Sequence, residues 1–102
     1  MFTATLSFDV LLGDVRSLKQ KRAVVRPIVA ELRRRFAVAA AEVGGLDVYR
    51  RAEIGVAVVA ADAGYCRDVL DAAERLVAAR PEVELLATRR YLYSSTDEAI
   101  AP

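Results

Sequence analysis

Residues 2–12, FTATLSFDVLL, alternate without interruption: Phe2, Ala4, Leu6, Phe8, Val10 and Leu12 share one side of an extended chain, and Thr3, Thr5, Ser7 and Asp9 share the other. An apolar period of two sustained over such a length is the pattern of a long strand with one buried face. The fold must therefore contain a sheet that is covered on one side only. The covering layer has to come from later in the chain, and the Gly13-Asp14 turn leads straight into a helical pattern.

From Ser17 to Phe36 the period lengthens. Leu18, Val24, Val25, Ile28, Val29, Leu32 and Phe36 fall on one stripe at about 100° per residue. Ser17 and Gln20 have the S-x-x-Q spacing of a capping box. Pro27 removes one backbone hydrogen bond, but the stripe stays in phase on both sides, so a kink rather than a break is expected. Residues 37–43 then read as a second strand ending in the Gly44-Gly45 turn, and residues 52–60 as a third with Ile54, Val56 and Val58 inward. Asp62 is placed to cap a second helix running to about Ala79, with Cys66, Val69, Leu70, Ala73, Leu76 and Val77 as its buried stripe. Pro81 ends it, and a last strand runs from Val83 to about Tyr93 with its register open. The order is βαββαβ, which is that of a ferredoxin-like α+β sandwich, a four-stranded antiparallel sheet with two helices on one face. The 102 residues suffice for one core, so a single domain over residues 1–93 is expected, followed by a flexible tail at 94–102.

The composition closes off several chemistries. There is no histidine, so histidine-based triads and the usual zinc and copper sites are excluded. Cys66 lies in an apolar helical stripe, as an inert buried thiol would. Asp68, Asp71 and Glu74 read as the solvated face of the second helix. Glu42 and Glu53, near the ends of the middle strands, are the one pair that could face each other. No phosphate-binding glycine pattern surrounds Gly13 or Gly44-Gly45. Among ferredoxin-like enzymes and metal carriers, the acylphosphatase type needs an asparagine, of which there is none. The heavy-metal-binding type needs C-x-x-C in the first loop, which here is GDVRS. A non-enzymatic protein without cofactor or metal is expected. With no long apolar run, no signal peptide and one cysteine, a soluble cytoplasmic location is expected. The lack of Asn and the single Gln suggest a thermophilic source.

Charge is unevenly distributed although the net value is only +1: residues 1–36 carry eight Lys/Arg against three acids. Lys19, Arg22, Arg26 and Arg33 form a row along the first helix, thickened by Arg16, Lys21, Arg34 and Arg35 and interrupted by Glu31 alone. Like charges at helical spacing cost stability, and an anionic partner is one reason to keep them. Arg89-Arg90 beside Tyr91 and Tyr93, and Arg50-Arg51 beside Tyr49, make two further basic–aromatic clusters. RNA-recognition domains of this topology stack bases on aromatic residues of the open sheet face. Thr3, Thr5, Ser7, Glu53, Gly55, Ala57 and Val59 offer no such platform. Ala39, Ala41, Gly55 and Ala57 instead make a small-residue surface of the kind that marks an interface.

The stretches SLKQKR (17–22), RRRF (33–36), AEV (41–43) and RAEIGVAVV (51–59) resemble the YlxP-like family of small bacterial proteins, whose pattern runs S-L-K-x-K-R, R-x-R-F, A-E-V and R-A-E-x-G-V-A-V-V. The similarity spans nearly the whole chain and thins after Arg90. It implies the ferredoxin-like fold, an unknown activity, and a gene neighbourhood shared with translation initiation factor two and ribosome-binding factor A. It draws attention to Ser17, Lys19, Lys21, Arg22, Arg35, Glu42, Arg51 and Glu53. The second strand departs from the pattern at Ala39 and Ala40.

Two functional expectations follow. The first is a module that binds structured RNA or a ribosomal subunit through phosphate contacts from Lys19, Arg22, Arg26 and Arg33, with Arg50, Arg51, Arg89 and Arg90 as outlying candidates. The alternative is a protein-interaction or structural module, a homodimer through the open sheet face or a binder of an acidic protein. No membrane association is expected.

Overall fold

The alternation of residues 2–12 becomes the long central strand β1 (Phe2–Leu12). The computed structural model describes residues 1–95. After β1 come α1 (Leu18–Arg35), β2 (Ala39–Gly44), β3 (Arg51–Ala60), α2 (Ala63–Ala78) and β4 (Val83–Ser94). All pairings are antiparallel and the strand order is β2-β3-β1-β4, so the first strand sits inside the sheet between β3 and β4. This is the ferredoxin-like arrangement. Both helices lie on one face, where Leu6, Phe8 and Val10 of β1 and Ile54 and Val56 of β3 pack with Ile28 and Leu32 of α1 and Leu70 and Val77 of α2.

The local signals act largely as expected. Gln20 N donates to Ser17 Oγ at 3.1 Å. The Gln20 side chain accepts from Arg16 N at 2.6 Å rather than from Ser17, so the box closes one residue earlier. Helix α1 continues through Pro27 to Arg35 in one piece. Asp62 Oδ2 accepts from Tyr65 N and starts α2. β4 runs one residue beyond its expected end, to Ser94, and Ser95 N bonds to Met1 O at 3.0 Å, so the sheet includes the start of the supposed tail. The remainder of the flexible tail expected at 94–102, residues 96–102, lies outside the described residues. The open register of β4 is settled by a bulge between Asp9 and Val10: Asp9 pairs with Ala87 and Val10 with Leu85, leaving Leu86 over.

One element departs from expectation. Lys21, expected among the cations of the basic row, is 2 % exposed and belongs to the buried stripe with Val25, Ile28 and Leu32. Its ammonium lies 2.8 Å from Glu42 Oε2 on β2 and donates to the carbonyl oxygen of Gly45. Gly45 has a φ of 67°, the left-handed conformation that favours glycine, and this aims the turn's carbonyl at Lys21. The Glu42 contact is electrostatic rather than an aligned hydrogen bond, since the buried Oε2 has no well-directed donor among the described residues. The pair fastens the start of α1 to edge strand β2.

Replacing Lys21 with Met should cost about 1–3 kcal/mol, because the carboxylate of Glu42 is left half-desolvated and the Gly45 carbonyl loses its donor. Adding Glu42→Leu should recover most of that loss. Urea unfolding of the single and double variants tests both statements.

Candidate functional site

The helix cations fall into two groups. Those in the C-terminal half are engaged. Arg34 and Arg35 lie 3.5 and 3.7 Å from Glu31, which also meets Arg80. Arg33 Nε donates to Ala40 O at 2.9 Å. Ala40 belongs to edge strand β2, so the fourth residue of the expected row occupies a strand-edge carbonyl. Lys19, Arg22 and Arg26 in the N-terminal half are exposed, and among the described residues no carboxylate lies within ion-pair distance of them. They span eight residues, about 10 Å along the axis. The first turn of α1 contains no acid. Cations there oppose the partial positive charge of the helix N-terminus, so this end is an electropositive surface kept at some cost in stability.

The outlying arginines do not join that surface. Arg50 Nε donates to Gly13 O at 3.0 Å and holds the β2–β3 loop against the turn after β1. Arg51 lies on the open sheet face, sharing it with Glu53, Gly55 and Ala57. Arg89 and Arg90 alternate across β4 and separate. Arg89 pairs with Ser7 on the open face, while Arg90 pairs with Leu6 and reaches Asp71 at 2.7 Å and Glu74 at 3.1 Å on α2. Partial burial lowers the Arg90 pKa, but hydrogen bonds and charge from Asp71 and Glu74 outweigh it and raise the value above the ordinary one. The Arg89–Arg90 cluster read from the sequence is therefore two contacts on opposite faces.

Glu42 and Glu53 are also on opposite sides of the sheet. Glu42 pairs with Ile54 on the helix face, whereas Glu53 pairs with Asp9 on the open face. A bulge at Val43 brings Gly44 opposite Glu53, whose side chain fills the space a Cβ at Gly44 would take. The two carboxylates make no common site.

The central strands β1 and β3 carry no aromatic residue on the open face, as expected, but edge strand β4 does. Tyr91 and Tyr93 project from it, opposite Thr5 and Thr3, with ring centroids 6.3 Å apart and planes 18° from parallel. They are 55 % and 52 % exposed. They were missed because the register of β4 was open. Beside them lies a shallow concavity of about 580 Å³ whose floor is Thr5, Ser7, Ala39, Ala41, Gly55 and Ala57. Val43 leans over Gly55, where an added Cβ would lie 3.0 Å from its methyl carbon. The four predicted small interface residues are thus brought together.

Comparison with known proteins places the chain. A family described as "Protein of unknown function (DUF503)" matches residues 3–90. The chain belongs to this family. The uncharacterized protein YlxP of Bacillus subtilis (strain 168) is 30 % identical over 81 residues, covering 79 % of this chain and 88 % of YlxP. Family membership agrees with the resemblance seen in the motifs. It reaches from β1 into β4 and so includes Lys19, Arg22 and Arg26 and the small residues of the open face, but ends before Tyr91 and Tyr93. No helix among the described residues is long and apolar enough to cross a membrane.

Changing Lys19, Arg22 and Arg26 together to Gln should leave stability unchanged or raise it by a few tenths of a kcal/mol per residue, because mutual repulsion and the unfavourable helix-end field are relieved. Thermal unfolding at low salt should show a melting temperature no lower than that of the parent.

Proposed function

We propose that the protein is a non-enzymatic RNA-binding module that grips phosphates with the N-terminal half of α1. The observation that carries this reading is the trio Lys19, Arg22 and Arg26 on one exposed face, without an ion-pair partner among the described residues, where Glu31 alone engages three arginines. Phosphates would meet three mobile donors and the helix-end field together, a combination suited to polyanions. Such contacts position a backbone without reading its sequence, so folded RNA is the preferred class of target. The gene neighbourhood implied by the motif resemblance makes ribosomal subunits the first RNA to try.

Binding to purified ribosomal subunits and to bulk RNA should weaken with salt, with a log–log slope of about −2 to −3 for three phosphate contacts. Each single change of Lys19, Arg22 or Arg26 to Gln should reduce that slope by about one. Salt-independent binding, or binding unaffected by the triple change, would sink the proposal. Binding to an acidic protein that RNA fails to displace would replace it with a protein ligand.

A further inference from the structure

We infer that the open sheet face is a self-association surface, covered in solution by a second copy of this chain in a two-fold, ridge-into-trough arrangement. The proposal goes beyond the helix reading, because α1 lies on the other side of the sheet.

The face combines a polar central row, Thr3, Thr5 and Ser7 of β1, with large hydrophobic residues exposed on either side of it: Val43 and Val59 towards β2, and Tyr91 and Tyr93 on β4. Exposed apolar bulk of this kind marks an interaction site. Its electrostatics do not suit a nucleic acid. Asp9 and Glu53 are register partners on the same face and put two carboxylates beside Arg89's row. A phosphate backbone crossing the sheet would have to pass them.

The shape of the face points to a second copy. In the rows of Tyr91 and Arg89, bulk is segregated across the strand order β2-β3-β1-β4. There β4 carries Tyr91 and Arg89, while β2 and β3 carry Ala39, Ala41, Gly55 and Ala57, with Val43 leaning over Gly55 at the end of the trough and Val59 beyond its other end. A two-fold axis parallel to the strands and lying between β3 and β1 places the β4 of each copy over the β2 of the other. Rows are preserved by this operation. Tyr91 shares a row with Thr5, Ala57 and Ala39, so its ring enters the partner's trough beside Ala39. Arg89 shares the row of Ser7, Gly55 and Ala41, and Glu53 lies one row away on the strand next to β2, so the cation of each copy approaches Glu53 of the other. The interface is isologous and closes on itself. Four strands about 4.8 Å apart and four rows of residues give about 500 Å² of projected face per copy, so the pair buries about 1,000 Å², at the lower limit for a specific contact. A reversible dimer of modest affinity follows.

Sedimentation velocity of the full chain across the micromolar-to-millimolar range should show monomer converting to dimer. Ala57→Arg, which fills the trough, and Tyr91→Ala, which removes the ridge, should each weaken the dimer at least about thirty-fold, the loss typical of a central contact. Circular dichroism should show both variants folded. Arg89→Glu should weaken association, and combining it with Glu53→Arg should restore it, a rescue that general damage to the fold would not give. A parent chain that stays monomeric at millimolar concentration overturns the inference. A dimer untouched by Ala57→Arg and Tyr91→Ala overturns it too, because the contact then lies elsewhere. Loss of RNA binding in Ala57→Arg with the parent monomeric would give the face to RNA instead, whereas loss confined to the Lys19, Arg22 and Arg26 variants leaves the two surfaces independent.

Discussion

The contact between Lys21 and Glu42 is the constraint on which the placement of both surfaces depends. A lysine at 2 % exposure is unusual, and this one is kept by a carboxylate from β2 and a carbonyl from the turn that follows it. Its position on the helix fixes the rotation of α1. With Lys21, Val25, Ile28 and Leu32 turned inward, Lys19, Arg22 and Arg26 are turned outward. The same contact holds β2, a six-residue strand made largely of alanine, against the rest of the domain. Alanine brings little burial or strand preference of its own, so this edge depends on fastening by polar groups at both ends, Lys21 at the Gly45 turn and Arg33 at Ala40.

The two surfaces divide the molecule by chemistry. The helix layer is charged, and the cations of α1 without an ion-pair partner among the described residues lie in its N-terminal half. The open sheet layer mixes exposed apolar residues with a polar central strand. A sandwich with two helices and one sheet has two broad outer surfaces, and here each has a distinct composition. Association through the sheet would leave the basic helices of the two copies on opposite outer sides, so neither surface would obstruct the other.

Most of the fold was legible because the periods were strong. The alternation of β1, the capping residues Ser17 and Asp62, and the apolar stripes of both helices all appear at or within a few residues of their expected places. What escaped notice has a physical explanation in each case. Lys21 was read by its charge, although its spacing of four from Val25 and seven from Ile28 put it on the buried stripe. The Tyr91–Tyr93 pair was hidden because β4 is exposed along nearly its whole length, so no alternation marks its inner side, and a bulge shifts the register. Which arginines are free was not legible at all. Arg33 and Arg50 answer to backbone carbonyls, and Arg90 to acids on α2, and those partners lie 7, 37 and up to 19 residues away in sequence.

The central position of β1 also bears on how the chain acquires its structure. The first strand to leave the ribosome is the one whose neighbours arrive last, since β3 begins at Arg51 and β4 at Val83. Its apolar row of Leu6, Phe8 and Val10 therefore has no sheet partner until β3 follows at Arg51. Loop closure of that range is slow compared with helix formation, which is complete in microseconds. Until β4 is in place one edge of β1 is unpaired, and the sheet closes when the last described segment zips along β1 to join Ser95 to Met1. Formation of this domain is in that sense set by its longest-range strand pairing.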